Sequence, residues 1–119
     1  MSPTVVIVDD HGAFRQFARR VLEADGFYVV GEAEDGAAAI EKVHSLRPDF
    51  VLLDIRLPDV DGFAVADELA ADGGAPHIVL TSSRDAADFE HRLERTRAVG
   101  FLQKSELSGA ALVALVGAP

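Results

Sequence analysis

The stretch Val5-Val6-Ile7-Val8-Asp9-Asp10 decides the fold class of this chain. Its four consecutive β-branched residues leave no polar face, which is typical of a strand buried on both sides of a parallel sheet. Similar apolar runs follow at 28–30, 50–53, 78–80 and 100–102. The chain is therefore predicted to contain five short strands.

Amphipathic stretches follow each of the five apolar runs. Their apolar stripes begin at Phe14, Ala37, Phe63, Phe89 and Leu107 and have the spacing of helices. Pro48 is predicted to close the second helix and Gly73-Gly74 the third. The fourth is predicted over about residues 84–97, with its arginines and glutamates on a solvated face. A βα unit repeated five times predicts an α/β fold, a five-stranded parallel sheet with helices on both faces.

Length and composition restrict the function further. The 119 residues suit a single domain over 1–119, and 11 basic against 20 acidic side chains give a formal charge of −9. Such a chain is a poor direct binder of nucleic acid or of an anionic membrane. The absence of cysteine excludes disulfides, thiolate metal sites and cysteine nucleophiles. The N-terminus matches neither a signal peptide nor a membrane span, so we expect a cytoplasmic protein.

Polar residues mark the ends of four of the buried runs. Asp9-Asp10, Asp54 and Thr81-Ser82 come directly after their runs, and Lys104 follows Gln103 at the end of the fifth. If the strand order is 2-1-3-4-5, these side chains meet at the carboxyl edge of the sheet, where α/β folds bind ligands. Two carboxylates about 4 Å apart repel by roughly 4 kcal/mol at an effective dielectric near 20. Lys104 offsets part of this charge, and a hard divalent ion offsets the rest. We therefore expect Mg²⁺, with Mn²⁺ as the alternative ion.

Taken singly, these residues have ordinary structural explanations. An aspartate after a strand is often a helix N-cap, and Asp59 and Asp61 are typical turn residues. The four histidines are too scattered along the sequence to predict a metal site. The function prediction rests on the conjunction of the strand-end residues.

Four motifs together resemble the response-regulator receiver domain of bacterial two-component systems. They are Val8-Asp9-Asp10-His11, the segment 53–62, Leu80-Thr81-Ser82 and Gly100-Phe101-Leu102-Gln103-Lys104. The resemblance covers essentially the whole chain and is greatest to receivers attached to helix-turn-helix transcription regulators. It implies the flavodoxin-like (βα)5 receiver fold.

The resemblance also implies a metal site and a phosphoacceptor. Asp54 would accept a phosphoryl group from a sensor histidine kinase. Asp10 would hold Mg²⁺ directly, Asp9 through water, and the backbone carbonyl of Arg56 would be a further ligand. The chain would not be an enzyme beyond catalysing its own phosphorylation and dephosphorylation.

The remaining implied roles concern signalling. Lys104 would pair with Asp54 before transfer and with the phosphoryl oxygens afterwards. Thr81 would hydrogen-bond the phosphoryl group, and Phe101 would change rotamer with it. The face formed by the fourth helix, fifth strand and fifth helix would then control an output domain or a partner protein that regulates transcription. Phosphorylation would also favour a homodimer.

Two features depart from common receiver sequences. Ser105 follows Lys104 where many receivers have proline, so we expect a trans bond there. Phe101 stands where tyrosine is common, so its ring has no hydroxyl group to resist burial, and we expect it to favour the inward rotamer.

Three other readings compete. A haloacid-dehalogenase-type phosphatase would need an acid where Arg56 stands, and a flavodoxin-like cofactor binder would need a phosphate loop where Asp9-Asp10 stand. The third is a receiver-like interaction module, which would have the receiver fold but would bind its partner without being phosphorylated.

Overall fold

The predicted strands are all present and form one parallel sheet. In the computed structural model, which describes residues 2–71 and 75–116, they are β1 (Thr4–Val8), β2 (Tyr28–Ala33), β3 (Phe50–Asp54), β4 (His77–Ser82) and β5 (Gly100–Gln103). Their spatial order is β2-β1-β3-β4-β5. This confirms the predicted fold class and strand order.

A helix follows each strand. The five helices are α1 (Gly12–Ala24), α2 (Gly36–Leu46), α3 (Gly62–Ala70), α4 (Glu90–Arg95) and α5 (Gly109–Leu115). Two short 3₁₀ turns, Ala86–Phe89 and Lys104–Glu106, precede α4 and follow β5. Within the described residues, no helix is long and apolar enough to cross a membrane.

The sheet is buried between two apolar layers. On one face, residues such as Val6 and Leu53 pack with α2 and α3, and part of α4 joins them. On the other face, residues such as Ile7 and Leu52 pack with α1 and α5. Helices therefore cover both faces, as predicted, and the central strands β1 and β3 have no solvated side.

The predicted extent of the fourth helix is wrong. Instead of one helix over about residues 84–97, the chain forms the 3₁₀ turn and then the six-residue α4. Phe89, at the junction, has a backbone φ of −126° that interrupts the helix. Thr96 is extended, and its hydroxyl accepts a hydrogen bond from the backbone N–H two residues later, at 3.2 Å. Such local side-chain bonds compete with helix formation.

Other boundaries differ less. Strands β3 and β4 extend past the apolar runs that predicted them, so Asp54 and Thr81 are strand residues. Backbone pairing continues regardless of side-chain polarity. Helix α3 ends at Ala70, and Gly73-Gly74 lie outside the described residues. The bond before Ser105 is trans, as expected.

Gly62 lets the start of α3 lie directly against the end of β3. A Cβ at this position would lie 2.3 Å from the backbone oxygen of Asp54 and 2.8 Å from Ile55 Cα. Both atoms belong to the backbone, so no side-chain rotation relieves the overlap. The helix and the strand end are therefore held at a separation that only glycine permits.

We expect Gly62→Ala to lower the free energy of unfolding by about 2 kcal/mol or more, because the added methyl forces backbone displacement. Urea unfolding followed by circular dichroism measures this change. Gly12→Ala is the matched control, since its Cβ would meet only the end of the Arg15 side chain at 3.5 Å. We expect that variant to stay within about 0.5 kcal/mol of wild type. Equal stability of both variants would contradict the close approach.

Candidate functional site

Two buried carboxylates lie side by side at the carboxyl edge of the sheet. In the register of β1 and β3, Val8 is level with Leu53, so Asp9 and Asp54 follow at the same height. The exposed fraction of Asp9 is 0% and that of Asp54 is 4%. Charged side chains are rarely buried to this degree without a partner of opposite charge.

Lys104 supplies that partner from the end of β5. Its ammonium nitrogen lies 2.5 Å from Asp9 Oδ2 and 3.3 Å from Asp54 Oδ2. The side chain is 17% exposed, and the ammonium also lies 4.5 Å from the centre of the Phe14 ring. One cation thus bridges two acids, and its shorter contact is with Asp9.

The surroundings of Asp54 disfavour its ionised form. Burial, followed by the negative charge of Asp9, raises the pKa of Asp54 to about 6. Lys104 and the backbone N–H of Arg56, which donates to Asp54 Oδ1 at 3.2 Å, counteract this increase in part. Additional positive charge at this edge would therefore stabilise the ionised carboxylate.

Asp10 and His11 complete a cluster with the two buried acids. One donor atom from each of Asp9, Asp10, His11 and Asp54 lies within 4.8 Å of the others. Asp10 is exposed at the rim, and Asp9 Oδ2 has no hydrogen bond of good geometry within the described part of the chain, despite the nearby ammonium. Three carboxylates that share one ammonium retain an excess of negative charge, which suits a hard, oxygen-ligated ion. The donor set therefore fits a divalent cation such as Mg²⁺.

His11 lies in this cluster, whereas the scatter of the four histidines along the sequence predicted no metal site among them. The available signal was its position directly after Asp9-Asp10.

Thr81 and Phe101 lie on the neighbouring strands. Thr81 is level with Asp54 and 1% exposed, and its hydroxyl has no hydrogen-bond partner among residues 2–71 and 75–116. Phe101 is half-buried against the apolar layer that contains α2 and α3, and its ring centre lies 6.1 Å from that of Phe89. A buried, unpaired hydroxyl thus lies one strand from Asp54, with an aromatic ring on the next strand.

The loop after β3 contains two further acids with structural roles. Asp59 accepts hydrogen bonds from the backbone N–H groups of Gly36 and Ala37, at 2.8 and 3.1 Å, and these bonds lower its pKa. Asp61 caps α3 through the N–H of Phe63 at 2.7 Å. Neither belongs to the donor cluster around Asp54, in agreement with their assignment as turn residues. Both also hold helix N-termini, which that assignment did not include.

Arg92 is not simply part of a solvated helix face, as its alternating charges predicted. Its guanidinium lies 2.7 Å from Asp61 Oδ2 and stacks 4.2 Å from the centre of the Phe63 ring. These contacts join α4 to the first turn of α3. The sequence pattern within one helix contains no signal for a partner on another helix.

Comparison with known proteins identifies the family. The family model for the response regulator receiver domain matches residues 5–116. The receiver domain structure of the response regulator NarL from Mycobacterium tuberculosis superposes with a TM-score of 0.80 at 37% identity, covering 97% of this chain and 93% of that one. The chain belongs to the response-regulator receiver family, and is thus a signalling domain of a two-component system. Membership excludes the phosphatase and flavodoxin-like readings.

The curated relatives are longer proteins with different outputs. The probable transcriptional regulatory protein NarL of M. tuberculosis is 40% identical over 101 residues, which are 84% of this chain and 47% of that protein. A protein-glutamate methylesterase/protein-glutamine glutaminase of Myxococcus xanthus is 45% identical over 80 residues, 66% of this chain and 23% of that protein. This chain therefore spans about half the length of these relatives or less.

The raised pKa of Asp54 predicts a pH-dependent stability in the absence of metal. Its unfolded value is 3.8 and its folded value is about 6, so the folded state holds the proton more tightly. Stability therefore decreases as the pH rises through this window. We expect the free energy of unfolding of Asp54→Asn at pH 7.5 to exceed that of wild type by up to about 3 kcal/mol, since a shift of one pKa unit corresponds to about 1.4 kcal/mol. Near pH 4 the difference should be small.

Urea unfolding with a chelator, repeated from pH 4 to 8, measures this dependence. Asp67→Asn on the exposed side of α3 is the control for loss of one acidic charge. A pH-independent difference between wild type and Asp54→Asn would contradict the assignment.

Proposed function

We propose that this chain is a phosphoacceptor that receives a phosphoryl group on Asp54 from the phosphohistidine of a sensor kinase. The observation that carries this proposal is the buried Asp54 carboxylate, which contacts the Lys104 ammonium and adjoins the donor cluster formed with Asp9 and Asp10. Phosphoryl transfer depends mainly on positioning and on stabilisation of charge, and these residues supply both.

The transfer needs no general base, because the attacking group is a carboxylate that has no proton to lose. One Asp54 oxygen forms a bond to phosphorus as the bond between phosphorus and the kinase imidazole breaks. The electron pair of that bond returns to the imidazole nitrogen, which regains a proton. The Arg56 N–H orients the carboxylate through Oδ1, and Lys104 places its positive charge where the phosphoryl oxygens arrive.

The carboxylates of Asp9, Asp10 and Asp54 would hold Mg²⁺, with the Arg56 carbonyl as a further ligand and Mn²⁺ as an alternative ion. A divalent cation at this position supplies positive charge that neutralises the phosphoryl oxygens and the crowded carboxylates. Lys104 forms an ion pair with Asp9. If Lys104 turned from Asp9 towards a phosphoryl group, the cation would remain as the positive neighbour of Asp9.

Signal output would proceed through Thr81 and Phe101. The buried Thr81 hydroxyl, one strand from Asp54, is a donor for a phosphoryl oxygen in a charge-assisted hydrogen bond. Movement of Thr81 changes the space next to Phe101, whose ring contacts the Phe89 region before α4. The face formed by α4, β5 and α5 would then shift its population towards a form that a partner recognises.

The relatives support a role in transcription. NarL is named as a transcriptional regulatory protein, and the present chain matches its receiver-containing portion. We propose that residues 1–119 act as a single receiver domain that controls a transcriptional output domain or partner, and that phosphorylation promotes a homodimer. The domain itself does not contact nucleic acid, in keeping with its net charge of −9.

Incubation with acetyl phosphate and Mg²⁺ should raise the intact mass by about 80 Da, the mass of one phosphoryl group. We expect no increase in Asp54→Asn or in the presence of a chelator. Asp67→Asn is the matched control and should label like wild type. Labelling of Asp54→Asn would place the acceptor elsewhere. Absence of labelling with any donor or kinase would favour the interaction module that works without phosphorylation.

Thr81→Ala should still be phosphorylated on Asp54 but should not transmit the change. The alanine lacks the hydroxyl that would bind the phosphoryl oxygen, so the resonances of residues 84–102 should shift much less than in wild type. Amide NMR spectra before and after acetyl phosphate provide this comparison. Identical shifts in wild type and Thr81→Ala would show that Thr81 does not relay the signal.

A further inference from the structure

Arg15, in the first turn of α1, is bonded to the backbone at the end of β1. Its Nη1 donates a hydrogen bond to the carbonyl oxygen of Asp9 at 2.6 Å. Strand β2 ends at Ala33, whose carbonyl still accepts the N–H of Asp9 at 3.0 Å. Beyond that point the guanidinium takes the place of a strand partner. The backbone N–H and the carbonyl of Asp9 are therefore both held.

A carboxylate on β2 holds the guanidinium itself. Arg15 Nε donates to Glu32 Oε1 at 3.0 Å, and the side chain of Arg15 is 20% exposed. The other oxygen of Glu32 accepts from Arg19, one turn further along α1, with Nε at 3.0 Å and Nη2 at 2.9 Å. Arg15 thus has one nitrogen fixed by an ion pair and another that reaches the carbonyl of Asp9, an arrangement that the guanidinium fork allows.

The bonded carbonyl belongs to the peptide that joins Asp9 to Asp10. Because a peptide group is planar, its orientation sets the directions in which both side chains leave the backbone. Asp9 is fully buried, whereas Asp10 is exposed, so little packing restricts the carboxylate of Asp10. Without Arg15 a buried carbonyl would lose its partner, and this peptide would be free to turn. The separation of the two carboxylates would then vary.

We propose that Arg15 is a positioning residue for the candidate cation site, and that it acts through the peptide between Asp9 and Asp10 rather than by touching the ion. This inference rests on the proposed function, since it concerns the binding of Mg²⁺ by these two acids. Ligands that are already in position lose less freedom when the ion binds, so Arg15 raises the affinity of the site. The ion pair with Glu32 offsets the charge of the guanidinium and reduces its repulsion of the cation.

An NMR measurement on metal-free protein tests the positioning without a phosphodonor. A hydrogen bond to a carbonyl polarises its peptide group, so the amide ¹⁵N resonance of Asp10 reports on the bond from Arg15. We expect Arg15→Met to shift this resonance. Arg19→Met is the matched control, because it removes the same charge and another contact of Glu32 but no contact with Asp9. It should leave the Asp10 resonance close to its wild-type position.

Calorimetric titration of the whole chain with MgCl₂ at pH 7.5 measures the effect on the site. Arg15→Met should lose about tenfold in Mg²⁺ affinity, the lower end of the loss that follows removal of a residue supporting a metal ligand. Arg19→Met should stay within about twofold of wild type, since a partly exposed ion pair contributes little. Arg15→Lys keeps the charge but has one nitrogen for two acceptors, so it should recover only part of the affinity.

The rate of labelling by acetyl phosphate separates positioning from a general loss of structure. In Arg15→Met the Mg²⁺ concentration that gives half the maximal rate should rise about tenfold. The rate at saturating Mg²⁺ should stay within about twofold of wild type, because Asp54 and Lys104 keep their contact. Circular dichroism checks that each variant is folded, and Arg15→Lys serves if Arg15→Met is not.

Unchanged Mg²⁺ affinity in Arg15→Met would overturn the proposal, and higher affinity would show that the guanidinium acts only by repelling the cation. Full recovery in Arg15→Lys, or an equal loss in Arg19→Met, would also overturn it, because charge alone would then explain the effect. The same holds for a lower rate at saturating Mg²⁺ with unchanged half-saturation, which indicates a merely structural role. If wild type is not labelled but the Asp10 resonance and the Mg²⁺ affinity change as expected, the positioning role stands and the proposed phosphoacceptor fails.

Discussion

The burial of two neighbouring carboxylates, Asp9 and Asp54, is the constraint on which the rest of the site depends. Parallel strands β1 and β3 place them level at the sheet edge, where neither reaches bulk water. Burial and, after it, the negative charge of Asp9 raise the pKa of Asp54, and Lys104 counteracts only part of this increase. The site therefore carries an excess of negative charge that lowers folding stability when Asp54 is ionised, and the proposed metal binding and phosphoryl transfer would both depend on it.

The surrounding loops keep these carboxylates in place. Gly62 allows α3 to begin against the backbone of Asp54, and Asp61 caps that helix. Asp59 ties the same loop to the N-terminus of α2 through two backbone hydrogen bonds. The loop between β3 and α3 is thus anchored to the helices on either side of it.

Helix α4 is weakly anchored to the rest of the described structure. It has only six residues, and none of them is fully buried. Its anchors include Leu93, which packs against the core, and the Arg92–Asp61 ion pair. The Phe89 ring just before the helix lies 6.3 Å from the Phe63 ring and 6.1 Å from the Phe101 ring, measured between ring centres. Segments with few buried contacts open at low free-energy cost, and switching elements are drawn from such segments. Because so few of its residues contact the core, the apolar stripe that begins at Phe89 could not predict where this helix starts and ends.

The strand order was implied by the resemblance to receiver domains, whereas the number of strands, the helices on both faces and the acidic edge could be predicted from the residues themselves. Those features follow from local rules: β-branched runs form buried strands, and parallel strands end at one edge. Only the tertiary structure decided that His11 joins the carboxylates, that Lys104 lies closer to Asp9 than to Asp54, and that Arg92 pairs with Asp61. These contacts join side chains from different elements, and their distances depend on register, helix placement and rotamer, which no spacing along the chain encodes.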